Sequence, residues 1–466
     1  MRAVCELYRM RSVRRQRRAG SDCLLSLVVG LGVQRAVCGD DHVRCGKLPG
    51  AAGRVCFRLP RRACFVQVCF PGILRGKHIM PPARMPAFAP WQAPGKHRFE
   101  AFQSVRGLAC LTVVIRHVLA CYPLSGHNLT VVVFFLFNSP AAVTLFFVLS
   151  GFVLTYSFDE HPFGARGIPA FWVRRTFRIL PALMAVTLLS ALYTRLPVSA
   201  WPIATSDPFM AGLLPHDMPL SAVTLVKCLL SLSSVLVPQG WTVMVELIAA
   251  LFLPFIWLCS RENGRIFLPV ALASLALSAF APAGGKGLPL LYGFSFIAGI
   301  TACRAWQNSV IVLTGTGIVL AAIGLSLPTT LLTSPEHLGE VFNSPKLVIP
   351  ESFFAAFLLY GLARPGRVTA LLTVRPLLWL GDISFSLYLV HFLAIALAGR
   401  FLSPVLPALP LFAREALVLA TTLLIALPFS ALLFRRVELP LNRVGHRLSK
   451  RWLRASYRDG GVSPVR

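Results

Sequence analysis

The chain has 466 residues, of which 56% are hydrophobic and only 14% are charged. Soluble proteins keep about a quarter of their residues charged, so this composition, with a mean hydropathy of +0.68, excludes a water-soluble surface over most of the chain. A net charge of +28 would suggest nucleic-acid binding in a soluble protein, but in a membrane protein it indicates loops retained in the cytoplasm. We therefore predict a polytopic membrane protein with no nucleic-acid partner.

Residues 1–79 differ from the rest of the sequence. They contain 16 Lys and Arg, 4 Asp and Glu, and seven of the twelve cysteines. No cysteine pair has the CxxC spacing of zinc modules, so no metal site is predicted. A basic run followed by an apolar run has the order of a signal peptide, but Arg35 interrupts the apolar part. The segment is predicted to be disordered, or to precede the working start at Met80 or Met85.

Ten apolar stretches follow, and such stretches cross the ~30 Å hydrocarbon core as helices. The predicted spans are about 106–122, 140–158, 176–194, 241–259, 265–281, 288–305, 309–327, 350–364, 376–399 and 413–435. The amphipathic stretch 221–237 contains Lys227 and is predicted to be interfacial or re-entrant. The predicted fold is an all-α transmembrane helical bundle of about ten spans, within a domain of residues 80–445. A basic cytoplasmic tail, 446–466, completes the chain.

The distribution of Lys and Arg predicts the orientation of these spans. Four loops assigned to the cytoplasm contain ten Lys and Arg, whereas five loops assigned outside, longer in total, contain six. Because cytoplasmic loops are enriched in Lys and Arg, both termini are predicted to be cytoplasmic.

Two ionisable residues of the first span are candidates for function, because a charge at mid-bilayer costs at least ~2.5–3.5 kcal/mol on insertion scales. Arg106 and His117 are eleven residues apart. This spacing predicts that they share one helix face, about 16 Å apart along the axis. Together they could bind an anion near the membrane surface and present an imidazole deeper in the span. Alternatively, Arg106 extends to the interface and His117 is an ordinary core residue.

Further candidates lie in the third and fourth spans. Glu246 follows Trp241 in a stretch otherwise free of charge, so its carboxyl group must be neutral, paired or hydrogen-bonded. A basic cluster at the cytoplasmic start of the third span has the geometry that phosphates favour, although loop anchors have the same composition. Its members are Arg174, Arg175 and Arg178.

Six sequence blocks occur in the order found in one enzyme family. They are FQSVRGLACLTVVIRH, ending at His117, TLFFVLSGFVLTYS at 144–157, FWVRRTFRILPAL at 171–183, GWTVMVE at 240–246, LGDISFSLYLVHF at 380–392 and VELPLNR at 437–443. Together they resemble the acyltransferase-3 family of integral membrane enzymes, which O-acetylate bacterial surface glycans, over most of residues 97–445. Three positions depart from the family's usual pattern: Thr144 replaces a frequent acid, Thr242 a frequent Ser, and Phe385 a frequent Tyr.

The resemblance implies an inner (plasma) membrane enzyme that transfers an acyl group, most often acetyl, from acyl-CoA to a hydroxyl of a cell-surface or exported carbohydrate. Acyl-CoA is then a co-substrate, and no cofactor is bound permanently. The implied partners are the lipid bilayer, the carbohydrate acceptor and other glycan-assembly proteins. The acceptor itself stays open among O-antigen, exopolysaccharide, a lipid-linked oligosaccharide and a macrolide-type small molecule.

The same resemblance implies roles for the candidate residues. His117 is the predicted general base, since an imidazole accepts protons near neutral pH, and Glu246 is predicted to orient this imidazole or to stabilise its cationic form. Tyr388 and His391 are candidates for acceptor binding or proton relay, and Ser150 for substrate binding. The CoA phosphates are assigned to four arginines at the cytoplasmic face: Arg106, Arg174, Arg175 and Arg178.

A transporter or flippase of a glycan or lipid-linked precursor is the main alternative, because several spans with a few buried charges are also typical of transporters. Many transporters have halves related by an internal repeat, and no such repeat is visible in this sequence. A structural or sensory membrane protein would leave the buried Arg, His and Glu residues unexplained.

Overall fold

The computed structural model describes residues 99–458, apart from 122–126, 161–166, 206, 263, 283–284, 310 and 333–342, together with five short segments before residue 70. The chain separates into two units, Met1–Gln92 and Ala93–Arg466.

The first unit contains five short antiparallel strands. A two-stranded sheet comprises β1 (Leu24–Val28) and β2 (Val33–Val37), and a three-stranded sheet has the order β3 (Cys45–Lys47), β4 (Arg54–Arg58), β5 (Phe65–Cys69). Valine and phenylalanine, which favour strands, are frequent in β4 and β5. Most of residues 1–79 lie outside the described residues, so the predictions of disorder or of a later start remain predictions.

Every described element of the second unit is helical, which confirms the predicted all-α bundle. The helices are α1 (Glu100–Cys121), α2 (His127–Leu136), α3 (Ser139–Glu160), α4 (Gly167–Tyr193), α5 (Pro208–Ala211), α6 (Ala222–Leu229), α7 (Gly240–Glu262), α8 (Gly264–Ala279), α9 (Leu288–Asn308), α10 (Gly315–Leu332), α11 (Pro345–Leu362), α12 (Arg367–Leu372), α13 (Arg375–Leu402), α14 (Leu411–Leu433) and α15 (Leu439–Arg458). A π-helical turn, Phe434–Glu438, joins α14 to α15.

Nine helices in the described part of the chain are long and apolar enough to cross a membrane. They are α1, α3, α4, α7, α9, α10, α11, α13 and the continuous helix Leu411–Leu453. The remaining predicted span, 265–281, corresponds to α8, whose 16 residues extend only about 24 Å. Within the predicted interfacial stretch, α6 has 8 residues and is too short to span. The protein is therefore a multi-pass membrane protein.

Capping residues explain why two spans begin elsewhere than predicted. α10 begins at Gly315 rather than near 309, because the Thr314 hydroxyl accepts a hydrogen bond from the backbone N–H of Gly317 at 3.1 Å. α11 begins at Pro345 rather than near 350, because Ser344 caps it and proline suits the first helical position. Hydropathy alone does not contain these local signals.

Close helix contacts in the core depend on glycines. α1 packs against α13, where a Cβ on Gly107 would lie 2.7 Å from the backbone nitrogen of Gly381. α3 packs against α9 in the same way, because a Cβ on Gly299 would overlap the carbonyl oxygen of Val148. Small residues allow this close approach in membrane helix pairs. These two contacts fix the register of the helices that carry the candidate site.

The long connection between α4 and α7 is attached to the C-terminal end of α13. Buried Arg400 donates hydrogen bonds to the carbonyl oxygens of Ser199 at 3.2 Å, Leu213 at 2.7 Å and Leu214 at 3.2 Å. The connection therefore lies at the end of the bundle where α1 and α13 finish. We call this the His117 end, and the opposite end, where α1, α4 and α13 begin, the Arg106 end.

We predict that Gly299→Ala lowers the thermal unfolding temperature of the purified protein in detergent, because the added methyl overlaps the Val148 carbonyl. Overpacking of this kind costs about 1–3 kcal/mol. Gly293→Ala, on the same helix, is the matched control, since its Cβ would lie 3.6 Å from the Ser274 hydroxyl, an ordinary contact distance. Equal unfolding temperatures for the two variants would contradict the close packing of α3 on α9.

Candidate active site

A cavity of about 130 Å³ lies between α1, α3, α4, α7 and α13. Its walls include aromatic and aliphatic side chains, among them Phe146, Phe147 and Phe385. Six of the nine predicted site residues line it, namely Arg106, Ser150, Arg175, Arg178, Glu246 and Tyr388. The cavity therefore combines an apolar wall with several cations and one carboxylate. Its lining does not include Arg174, His117 or His391.

Arg106 is fixed by uncharged oxygens of α13. Its Nε donates to the Ser384 hydroxyl at 2.9 Å, and its Nη2 donates to the Gly381 carbonyl at 2.8 Å. The Ser384 hydroxyl in turn donates to the same carbonyl at 2.7 Å. Because neither oxygen partner carries a charge, Arg106 keeps its net positive charge in the cavity wall.

Arg175 is paired with Glu246, and the two residues join α4 to α7. The guanidinium donates directly to the Glu246 carboxylate, and the Ser150 hydroxyl of α3 donates to the same oxygen at 3.2 Å. Arg175 is only 8% exposed. The family resemblance implies that Glu246 orients His117 or stabilises its cationic form, whereas in the described part of the chain Glu246 bonds to Arg175 and Ser150. Glu246 and His117 lie at different depths in the bundle, because Glu246 faces the Arg106 end and His117 is about three helical turns further along α1.

His117 and His391 form a pair of imidazoles at the interface of α1 and α13. Their ring centroids are 5.2 Å apart, and the Phe392 ring lies 4.6 Å from His117. His391 is fully buried, while His117 is partly accessible. The contact was not predicted, because the sequence does not show which spans are neighbours.

The tautomer of His391 follows from its hydrogen bond. Its Nδ1 lies 2.6 Å from the carbonyl oxygen of Tyr388, and a carbonyl only accepts, so Nδ1 carries the hydrogen. In the neutral ring, Nε2 is then a proton acceptor. This buried atom has no hydrogen-bond partner among the described residues. The pair can therefore accept a proton at a defined nitrogen.

Arg106 and His117 both contact α13, as their spacing of eleven residues predicts. Arg106 contacts Gly381 and Ser384, and His117 contacts His391. Tyr388 lies between these two contacts on α13. Its ring lines the cavity, and its carbonyl binds His391. Tyr388 thus separates the cavity from the histidine pair.

Tyr388 is held from the side of α7. Its hydroxyl lies 3.2 Å from that of Thr242, and the Gln239 amide donates to the Tyr388 carbonyl at 2.9 Å. Thr242 was noted only as a departure from the family pattern. A hydroxyl at this position suffices for the contact, whether Thr or Ser supplies it.

The three arginines of α4 do not all point the same way: Arg174 and Arg175 are consecutive and about 100° apart around the helix, whereas Arg174 and Arg178, four residues apart, share a face. Arg175 points inward to Glu246, and the exposed Arg178 lines the cavity. Arg174 lies outside the cavity lining and donates to the Ser449 hydroxyl of α15 at 3.4 Å. Arg175 is thus paired within the protein, and the assignment of the three arginines to the CoA phosphates stays a prediction.

The sequence analysis missed three acids that are buried in the described part of the chain: Glu351, Glu415 and Glu438. Glu438 accepts a hydrogen bond from the Ser386 hydroxyl at 2.8 Å and interacts electrostatically with Arg106 and Arg178. Glu438 belongs to the block VELPLNR, so the sequence itself shows an acid next to the last predicted span. Glu351, away from the cavity, accepts hydrogen bonds from two threonine hydroxyls, those of Thr144 at 2.7 Å and Thr329 at 2.8 Å.

The comparisons with known proteins bear on this geometry. The model of the acyltransferase-3 family, described as an acyltransferase domain, matches residues 99–433. The chain belongs to this family. It is an acyltransferase, and the matched region contains all the cavity residues and both histidines, but not Glu438 or α15. No curated protein and no solved structure matches the sequence.

No group of three or more His, Cys, Asp or Glu side chains that could bind a metal ion is found in the part of the chain that the structure describes.

We predict that Glu246→Gln destabilises the protein, because it leaves the buried Arg175 guanidinium without a carboxylate. Removing one partner of a buried ion pair costs up to about 3–5 kcal/mol, and the 22% exposure of Glu246 reduces this cost. Thermal unfolding in detergent measures the effect. The double variant Arg175→Met/Glu246→Gln should recover part of the loss, since no unpaired charge remains. If the stability losses of the two single substitutions simply added up in the double variant, the ion pair would not couple α4 to α7.

Proposed function

We propose that this acyltransferase moves a short acyl group, most readily acetyl, from acyl-CoA to a hydroxyl of a carbohydrate. One observation carries the proposal: a cavity lined by arginines is followed along α13, directly beyond Tyr388, by the pair of His117 and His391. The cations suit a phosphorylated donor, and the imidazoles suit deprotonation of a hydroxyl. We further propose that the Arg106 end faces the cytoplasm of the inner membrane, where acyl-CoA is available.

On the donor side, the arginines take different roles. Arg106 and Arg178 bind the donor, because neither makes a direct bond to a carboxylate among the residues that the structure describes. Arg175 is neutralised by Glu246 and acts as a positioning residue for the wall of the cavity. Ser150, which binds Glu246, supports the same wall and lies where the acyl group would pass.

The reaction then has a defined proton balance. His117 accepts the proton of the acceptor hydroxyl as its oxygen attacks the thioester carbonyl carbon. The new C–O bond forms, the C–S bond breaks, and the CoA thiolate leaves with the proton returned from the imidazolium. His391, whose Nε2 is a free acceptor, is a positioning residue that stabilises His117 when it carries charge.

On the acceptor side, an aromatic series leads from the surface to the histidine pair. Phe209, in α5, is 56% exposed, and its ring lies 5.8 Å from that of Phe392. Phe392 in turn contacts His117. Aromatic faces commonly pack against the C–H faces of sugar rings, so this series fits a carbohydrate that approaches from the His117 end.

We expect His117→Gln to lower transfer of radiolabelled acetyl from acetyl-CoA to glycan in membranes by at least about 100-fold, because general acid–base catalysis contributes ~10²–10⁴. Protein abundance is measured in parallel. His216→Gln, in the connection between α4 and α7, removes a histidine outside the pair and should retain activity. Retained activity in His117→Gln would remove this residue from the role of base. Movement of glycan without labelling in the wild type would favour transport instead.

We expect Phe209→Ala to lower acetyl transfer several-fold while leaving the affinity for CoA unchanged, since its ring lies on the acceptor side. Phe412→Ala is the matched control, because Phe412 is a more exposed phenylalanine, 66% accessible, at the start of α14. Transfer and equilibrium CoA binding are measured on the same membranes. A loss of CoA affinity in Phe209→Ala would contradict the assignment of the two sides.

A further inference from the structure

Helix α15 packs directly on the part of α4 that carries the arginines. A Cβ on Gly445 would lie 2.5 Å from the Cβ of Phe177 and 3.7 Å from the Cα of Arg174. One helical turn later, the Ser449 hydroxyl accepts a hydrogen bond from Arg174. Gly445 and Ser449 are both buried. The glycine therefore allows two helices to come close although one of them begins beyond the region that the family model matches.

Two exposed basic side chains follow these buried contacts on α15. His446 and Lys450 each come one residue after a buried contact residue, about 100° around the helix. The charged groups that act on His446 are Arg174, Lys450 and Arg178. We call these four residues, Arg174, Arg178, His446 and Lys450, the cationic cluster; its two guanidiniums and its ammonium group carry the charge, and its imidazole can take up a proton beside a bound anion.

The acids near the cationic cluster carry too little negative charge to balance its positive charge. Glu438 acts on Arg178, but no acid is among the groups that act on His446. Like charges at short range repel one another, more strongly where protein replaces water. An anion with several acceptor oxygens, such as a phosphate ester, removes this repulsion and offers bidentate geometry to the guanidiniums. The cluster therefore has the chemistry of a phosphate site.

The cluster is continuous with the cavity, because Arg178 belongs to both. The cavity measures about 130 Å³ and has a largely apolar wall, which suits the acyl end of a donor better than its phosphates. Inside it, Arg175 is neutralised by Glu246, which leaves Arg106 as the buried guanidinium whose direct partners, Gly381 and Ser384, are uncharged. One guanidinium does not satisfy all the phosphates of a nucleotide, so the remaining phosphates of a donor in the cavity would have to bind outside it, at the Arg106 end.

We propose that α15 completes the donor site, with His446 and Lys450 joining Arg174 and Arg178 to bind the phosphate groups of the acyl-CoA nucleotide. The inference rests on the proposed function, and it assigns donor binding to a helix outside the matched family region. Anionic lipid headgroups present the same phosphate chemistry. The shared residue Arg178 favours the donor, because it connects the cluster to the cavity rather than to the lipid surface.

The test is equilibrium binding of CoA and of 3′-dephospho-CoA to the full-length protein in phosphatidylcholine nanodiscs. Lys450→Gln should weaken CoA binding about tenfold, which corresponds to ~1.4 kcal/mol, and His446→Gln should weaken it less. Both substitutions should weaken the binding of 3′-dephospho-CoA less than that of CoA, because this ligand lacks one phosphate. Turnover of a nucleotide-free donor, S-acetyl-N-acetylcysteamine, should be unchanged, a result that a merely structural role of α15 would not produce.

Arg451→Gln is the matched control. It removes one charge from the same helix, and Arg451 is exposed about 160° away from Ser449 around the helix axis. Thermal unfolding shows that each variant is folded. Equal CoA affinities in Lys450→Gln and Arg451→Gln would overturn the inference and leave the proposed function intact. No CoA binding by the wild type would overturn the proposed function itself.

A second experiment tests whether the cationic cluster binds the phosphates of a lipid or those of the donor. If Lys450→Gln keeps wild-type CoA affinity but retains less phosphatidylglycerol from mixed nanodiscs, the phosphates belong to lipid and the inference is wrong. If phosphatidylglycerol does not change the effect of Lys450→Gln on CoA binding, the donor assignment is supported.

Discussion

A guanidinium inside a membrane bundle must find oxygen atoms within the protein, since lipid offers none. Arg106 and Arg175 meet this requirement in different ways. Arg106 binds a carbonyl and a hydroxyl, so its charge is solvated but not cancelled. Arg175 binds the Glu246 carboxylate, so its charge is cancelled locally. The same residue type therefore provides an anion-binding group in one wall of the cavity and a link between two helices in another.

Helix α13 arranges the remaining parts of the site. Gly381, Ser384, Tyr388 and His391 recur every three or four residues, the spacing of one helix face. The first two bind Arg106, Tyr388 lines the cavity, and His391 contacts His117. Gly107 and Gly381 allow α1 to approach this face closely. As a result, the groups assigned to the donor and to the hydroxyl are aligned along one interface between two helices.

Hydropathy and helical periodicity account for what the sequence could predict. Nine predicted spans correspond to helices long enough to cross a membrane, and Arg106 and His117 share a face because α1 is one continuous helix. The partner of Glu246 could not be predicted, since it depends on the packing of α3, α4 and α7. The same holds for the contact of His117 with His391, which are distant in sequence.

The acids that escaped notice show a related limit. Thr144 was visible as a position where relatives often have an acid, but nothing in its surroundings indicated that α11 supplies Glu351 to the same place. Glu438 was visible in a recognised block, yet its interactions with Arg106 and Arg178 arise only when the π-helical turn packs against α4 and α13. Residue types and blocks predict which groups a site contains. Helix packing decides which of them meet.

Tyr388 connects the two halves of the reaction through its backbone and its ring. Because the ring lines the cavity and the carbonyl binds His391, a donor that packs against this residue touches the group that fixes the tautomer of His391. The thioester must lie close to Tyr388 to be within reach of His117, since Arg106 and His117 are about 16 Å apart along α1. A donor held only by Arg106 would leave its nucleotide unbound at the Arg106 end. The cationic cluster of α4 and α15 lies where that nucleotide would emerge, and this continuity gives α15 a reason to pack so closely on α4.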